Sequence, residues 1–276
     1  MTNQELQRKA NELRVDILRM IYKAKTGHIG GDNSIIDMIT ALYFKHMNIS
    51  PKQWEEKDPN RDRFVLSKGH AVEALYAALG DRGFFDKEEM IETFSQFGSP
   101  YIGHANNHVA GIDLNSGSLG HGLSLAVGMA LAGKKDGRDY KVYCVMGDGE
   151  VAEGSVWEGA MAAGHYKLNN LIGIVDRNRQ QISGTTEEVM TQDSQEERWA
   201  AFGWHVISID GNDMDAVDAA LTAAKEVKDR PVAIIANTVK GKGISFMENV
   251  ASWHHGVPKE EQYEQAMAEL QALLAD

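Results

Sequence analysis

Four short apolar runs divide the second half of the chain: YKVYCVM at 140–146, NLIGIVD at 170–176, WHVISID at 204–210 and PVAIIANTV at 231–239. A near-continuous apolar run is what a strand needs when both of its faces are covered. Helical periodicity fills 153–165 and 215–227 between them. Strands that alternate with helices build right-handed βαβ crossovers and a buried parallel sheet. The expected fold class is therefore α/β, a doubly wound, mostly parallel sheet flanked by helices.

The first half reads as mostly helical. Leu6, Ala10, Leu13, Ile17 and Met20/Ile21 recur at helical spacing and predict a helix over 3–25. A second helix is expected from about Ser34 to His46, with Ser34 or Asn33 as its N-cap. RFVLS at 63–67 reads as a strand, followed by a helix from Ser67 to Leu79 that Gly80 ends. Further helices are expected at 86–94, in the small-residue segment 120–135, and over 257–276. No repeat or Pro/Ser-rich linker divides the chain, so the sequence predicts one domain, 1–276, with a helical N-terminal part at 1–60.

Composition narrows the partners. With 28 Lys+Arg against 40 Asp+Glu the net charge is −12, which argues against nucleic acid and against an anionic membrane surface. An anionic ligand would need a local device such as a metal ion or a helix N-terminus. Cys144 is the only cysteine, so no intrachain disulfide or Cys-based metal site is available; in a core strand it should be inert. The N-terminal segment lacks the apolar core of a signal peptide, and no apolar run reaches ~18 residues. The expected compartment is the cytoplasm.

Ligands of a parallel sheet collect at the carboxyl ends of its strands. Gly147-Asp148-Gly149 stands at one such end, and Asn178 stands past the end of the next strand, 30 residues on. If those strands are neighbours, one carboxylate and one amide oxygen face the same small volume. Two hard oxygens do not enclose Mg²⁺; it takes six, usually completing them from phosphate and water. The pattern thus predicts a phosphate-bearing cofactor, with the backbone carbonyl of Gln180 as a third protein ligand and Gly149 leaving room for a phosphate. Gly-Asp-Gly alone is equally a turn after a strand; the order strand, GDG, helix, strand, Asn favours the metal site.

The block VMGDGEVAEGSVWEGAMAAGHYKLNNLIGIVDRN resembles the thiamine-diphosphate/Mg²⁺ motif, and its surroundings resemble transketolase. TGHIGG (26–31), RDRFVLSKGHA (61–71), GHANN (103–107), GSLGHGLSLAVGMA (117–130), AFGWHVISIDGND (201–213) and TVKGKGISFMENVASWHHGVP (238–258) follow in that family's order. The resemblance implies the diphosphate domain of the thiamine-diphosphate-binding fold. It implies cofactor contacts from Gly147, Asp148, Gly149 and Asn178, with Asp148, Asn178 and the Gln180 carbonyl on Mg²⁺. Gly117, Ser118 and Leu119 match the stretch that touches the aminopyrimidine, with Ser118 in place of the family's proline and His121 where glutamine is frequent. His28, His70 and His104 match substrate-channel histidines, and the last falls on His254 or His255. Such a histidine is also, by type alone, an ordinary core or capping residue; the flanking motifs favour the catalytic assignment. Imidazole exchanges protons near neutral pH, as transfer of a two-carbon ketol unit demands. His46, His108, His165 and His205 match no motif. Lys240 and Lys242 read either as neighbours of the diphosphate or as part of a solvated loop, and Trp157 and Trp199 as interface or core.

The resemblance also implies incompleteness. The family's glutamate that protonates the aminopyrimidine and its sugar-phosphate arginines belong to a later, pyrimidine-type domain. The chain is therefore expected to be the N-terminal subunit of a split transketolase that acts on sugar phosphates with a C-terminal subunit in an α2β2 assembly. The alternatives are the α subunit of a 2-oxoacid dehydrogenase, a split transketolase of a specialised sugar pathway, and a non-catalytic scaffold. A nicotinamide-binding domain fits poorly, because GSLGHG has its glycines in the wrong order for that fingerprint.

Overall fold

A computed structural model describes residues 1–192 and 194–275. In chain order the elements are α1 (Asn3–Ala24), α2 (Ile29–Ala41), a π-turn (Leu42–His46), α3 (Pro51–Glu55), β1 (Arg63–Leu66), α4 (Val72–Asp81), α5 (Lys87–Thr93) and α6 (Gly122–Lys135). Then come β2 (Val142–Gly147), α7 (Gly154–His165), β3 (Leu171–Arg177), the short pair β4 (Gln180–Gln181) and β5 (Gly184–Thr185), α8 (Thr186–Val189) and α9 (Gln195–Ala201). β6 (His205–Asp210), α10 (Met214–Glu226), β7 (Val232–Asn237) and α11 (Glu260–Ala275) close the chain. Asp276, included in the expected last helix, lies outside the described residues.

Five strands form one parallel sheet in the order β1-β2-β3-β7-β6. Successive side chains leave a strand on opposite faces, and each face has its own core. Phe64, Leu66, Tyr143, Val145, Ile172 and Ile234 point into the layer built from α1, α2, α4, α10 and α11. Val65, Cys144, Met146, Val175 and Ile235 point into the layer of α6, α7 and α9. This is the doubly wound α/β architecture that the apolar runs imply. Cys144 is buried in the second layer, its thiol pushed well above the ordinary range by that burial. Trp199 is fully buried, its ring tilted against Trp157 and edge-on to Trp204, so it belongs to the core.

Two expected helix starts are corrected. α2 begins at Ile29 rather than at Ser34, with His28 as its N-cap residue. Gly30 and Gly31 lie inside this helix, and at Gly30 the packing of another segment leaves no room for a side chain. A Cβ at Gly30 would come within 2.5 Å of the Trp253 carbonyl oxygen. Ser34 does not cap; its hydroxyl donates to the Gly31 carbonyl at 3.0 Å and to Asp176 at 2.6 Å. α4 begins at Val72 rather than at Ser67, and it runs through Gly80 to Asp81. Residues 67–71 instead form a loop along the sheet edge, and the Ser67 hydroxyl donates to Glu150 while accepting from the Gly122 N–H.

Candidate functional site

The strand ends converge as the register dictates. β2 and β3 are adjacent, with Gly147 opposite Asp176, and Asp176 faces Ala236 on β7. Asp148 and Asn178 therefore emerge side by side at the carboxyl edge. A 370 Å³ cavity opens there, lined among others by Lys68, His70, Asp148, Asn178, Lys240 and His254.

Asp148 is 2% exposed. Its carboxylate accepts from the backbone N–H groups of Gly149 and Arg179. Burial, reinforced by the charge of Asp176, pushes it up to about 6. The Asn178 amide N–H donates to Asp176 at 3.1 Å, and its oxygen accepts from the Gln180 N–H at 3.1 Å. Each of these oxygens keeps a free lone pair. The Gln180 carbonyl lies at the same edge, where it accepts from Lys240 at 3.2 Å. At Gly149 a Cβ would come within 2.9 Å of the Gln181 side chain, so a larger residue there would have to displace Gln181.

Beneath these groups is a buried network that the sequence reading missed. Asp176, at the end of β3, accepts from Lys68, Ser34, Thr238 and Asn178. Burial alone would raise its carboxyl, but Lys68 and these hydrogen bonds hold it below its ordinary value. Glu150 joins three motif loops by accepting from the Ser67 hydroxyl and from the N–H groups of Gly120 and Gly147. Of the two lysines in KGKG, Lys240 is buried at the site, with burial and then Lys68 bringing its ammonium down to about 8. Lys242 is partly exposed and pairs with Glu248 instead.

The five motif histidines form one cluster. His28 lies 5.2 Å from His70, 6.1 Å from His104, 5.8 Å from His254 and 4.7 Å from His255 between ring centroids. His70 stacks on His254 at 5.2 Å. His254 lines the cavity, and its Nδ1 accepts from the Lys240 ammonium at 2.8 Å, which places the ring proton on Nε2. His255 turns to Thr26 at 3.3 Å. A Cβ on Gly117 would lie 2.7 Å from the His104 ring, so the two segments touch. Leu119 lines the cavity, whereas Ser118 faces a smaller adjoining pocket with His121 and Leu125. His46 lies apart, bound to Asp218 at 2.7 Å.

Burial, followed by neighbouring positive charges, brings His28 down to about 4 and His254 to about 3, and drives His70 well below its ordinary value. These folded values lie below the unfolded value near 6.5. Below pH 6.5 the unfolded chain therefore binds more protons, and stability falls as the pH drops towards 4. The histidines' contribution should lower the thermal midpoint from pH 7 to 5.5 and 4.5, so the difference in midpoint between wild type and His254→Phe should grow less favourable to wild type as the pH falls.

Residues 5–271 match the family model described as transketolase, thiamine diphosphate binding domain. The chain belongs to the transketolase family. It is 51% identical over 266 residues to an apulose-4-phosphate transketolase subunit of Phocaeicola vulgatus, covering 96% of this chain and 93% of that protein. It is 44% identical over 270 residues to 6-deoxy-6-sulfo-D-fructose transketolase subunit SqwG of a Clostridium species, covering 97% and 96%. Among solved structures it is similar to the transketolase of Campylobacter jejuni, with a TM-score of 0.91 and 34% identity over 98% of this chain and 43% of that one. The chain therefore spans less than half the length of that transketolase.

The transketolase site fits the family's cofactor on its own geometry. Asp148, Asn178 and the Gln180 carbonyl are three hard oxygens of the kind that Mg²⁺ takes. The buried Gln181 amide nitrogen, on the cavity wall, has no hydrogen-bond partner, so it is available as a donor to phosphate oxygens. The buried ammonium groups of Lys68 and Lys240 add positive charge in a chain whose net charge is negative.

Proposed function

We propose that this chain binds thiamine diphosphate through Mg²⁺ and transfers a two-carbon ketol unit between sugar phosphates together with a pyrimidine-domain subunit. The observation that carries this reading is the meeting of Asp148 and Asn178 at one sheet edge beside a five-histidine cluster. Asp148, Asn178 and the Gln180 carbonyl would hold the metal. Gly147 and Gly149 would admit the diphosphate, and Gly117, Ser118 and Leu119 would flank the aminopyrimidine. Thiamine diphosphate, when bound, supplies the nucleophilic carbon that cleaves a bond beside a carbonyl.

The histidines do the protein's part. His28, His70 and His254 are neutral at pH 7, so each has one ring nitrogen that accepts and one that donates. His28 and His70 take a hydroxyl proton from the donor sugar and return it to the developing alkoxide, His254 donates a hydrogen bond from Nε2, and His104 and His255 orient the hydroxyls at the mouth. A 2-oxoacid has no chain of hydroxyl groups to engage, so the cluster favours ketol transfer over a 2-oxoacid dehydrogenase.

Residues 1–276 act in this reading as one diphosphate-type domain of an α2β2 assembly located in the cytoplasm. Ile182 lines the cavity while 72% exposed, and Leu125 and Met161 are also exposed, which supports a covering partner. Among the described residues no helix is long and apolar enough to cross a membrane. The relatives' names point to specialised sugars, apulose 4-phosphate or 6-deoxy-6-sulfo-D-fructose, as donors to test.

The reading is tested by assaying the chain alone and after mixing with its pyrimidine-domain partner. The chain alone should give no ketol transfer above background, and the mixture should give turnover with one of those donors. Full turnover by the chain alone would contradict the division of labour.

A further inference from the structure

Two carboxyl groups behind the histidine cluster have no part in the proposed chemistry. Asp32 and Glu73 are both fully buried. Asp32 lies in the first turn of α2, and Glu73 lies in the first turn of α4. Neither helix has a side-chain cap of its own, since the N-cap residues are His28 and Ala71. The two acids supply what is missing across the helix pair. Asp32 Oδ1 accepts from the Ala74 N–H of α4 at 3.1 Å. Glu73 Oε1 accepts from the His28 N–H at the start of α2 at 3.2 Å. The approach of Glu73 depends on Gly27, where a Cβ would lie 2.7 Å from Oε1.

One oxygen of each acid, Asp32 Oδ2 and Glu73 Oε2, has no partner among protein donors. The two side chains are nevertheless in hydrogen-bonding contact with each other. Two carboxylates cannot form that contact; a carboxylic acid and a carboxylate can. We propose that Asp32 and Glu73 share one proton and form a reciprocal clamp that ties the N-terminus of α2 to that of α4. His28 is the first residue of one tied end, and His70 immediately precedes the N-cap of the other. The clamp thereby sets the 5.2 Å spacing of their rings. Asp32 and Glu73 are positioning residues. Their value to catalysis rests on the reading that His28 and His70 face the sugar; the clamp itself does not.

The groups that face the pair are few. Lys68 acts on Asp32, the charge of Glu73 acts on Tyr76, and His28 contributes its N–H. From α1 the neighbour is apolar, Ile21. Burial raises both acids above their ordinary values; the charge of Asp32 raises Glu73 further, whereas the hydrogen bond from Glu73 pulls Asp32 back down. The folded chain then retains a proton that the unfolded chain has lost. The pair's own contribution to the folding equilibrium constant should fall as pH rises from about 5 to 8, by up to about tenfold per pH unit for one proton; it opposes the histidines' contribution and is read as the difference between wild type and D32N.

The test uses the full chain without cofactor or partner, so failure of the ketol-transfer reading leaves it unaffected. Urea denaturation is measured for wild type, D32N, E73Q, the D32N/E73Q double variant and E73A. In either single amide variant an N–H replaces the shared proton, and stability should stay within about threefold of wild type at pH 7. In the double variant two NH2 groups face each other, and stability should fall roughly tenfold or more beyond the product of the singles. D32N should also flatten the pH slope, and E73Q should recover most of what E73A loses. Imidazole nitrogen NMR signals of His28 and His70 should move in E73A and return in E73Q. If both acids are ionised, each amide substitution relieves repulsion, and the double variant is no worse than the product. That result, an unchanged pH slope in D32N, or unmoved imidazole signals in E73A would overturn the proposal.

Discussion

Replacing Asp148 with alanine is expected to abolish Mg²⁺-dependent binding of thiamine diphosphate while the fold survives. The carboxylate is the one full negative charge offered to the metal, since Asn178 and the Gln180 carbonyl supply only dipoles. Losing an outer partner of a metal ligand already costs ~10–100-fold in affinity, so losing the charged ligand should cost more than ~100-fold. The fold should tolerate the change because burial penalises this carboxylate, pushing it up to about 6. The lost hydrogen bonds to the Gly149 and Arg179 N–H groups partly offset that relief. Titration calorimetry with cofactor and Mg²⁺, alongside urea denaturation, separates the two effects. Unchanged binding by the folded variant would remove Asp148 from the site.

The second large effect is on stability. Asp176→Ala should destabilise the chain by about 3–5 kcal/mol, the usual loss when one partner of a buried ion pair is removed. Lys68 would be left fully buried with only the Gly31 carbonyl as acceptor. Ser34, Thr238 and Asn178 would each lose an acceptor as well. The Asn178 amide would then be free to rotate, so cofactor affinity should fall with stability. Lys68→Met alone should cost a similar amount, because it leaves the Asp176 charge uncompensated. Lys68→Met with Asp176→Leu should cost clearly less than the sum of the single changes. An additive double variant would mean that the two groups do not form a pair.

The strands were legible because a sheet covered on both faces forces continuous apolar runs, as in KVYCVM and AIIAN. Asp148 and Asn178 were legible because strand adjacency turns a 30-residue separation into proximity. The motif histidines could be named from flanking sequence, and the fold brings all five to one place. Lys68, Asp176, Glu150, Asp32 and Glu73 stayed hidden because a charged residue reads as exposed until its partner is known. Lys68 and Asp176 lie 108 residues apart and meet only through the parallel register of β1, β2 and β3. The start of α2 was misplaced for a related reason: Gly30 and Gly31 are poor helix formers in isolation, and the Trp253 carbonyl that packs on Gly30 comes from far along the chain.

The most direct measurement is a crystal structure of the chain with thiamine diphosphate and Mn²⁺, read by anomalous scattering. One peak is expected, bound by Asp148, Asn178 and the Gln180 carbonyl and touching the diphosphate oxygens. A cofactor seated with no metal between positions 148 and 178, or a peak elsewhere, would contradict this expectation.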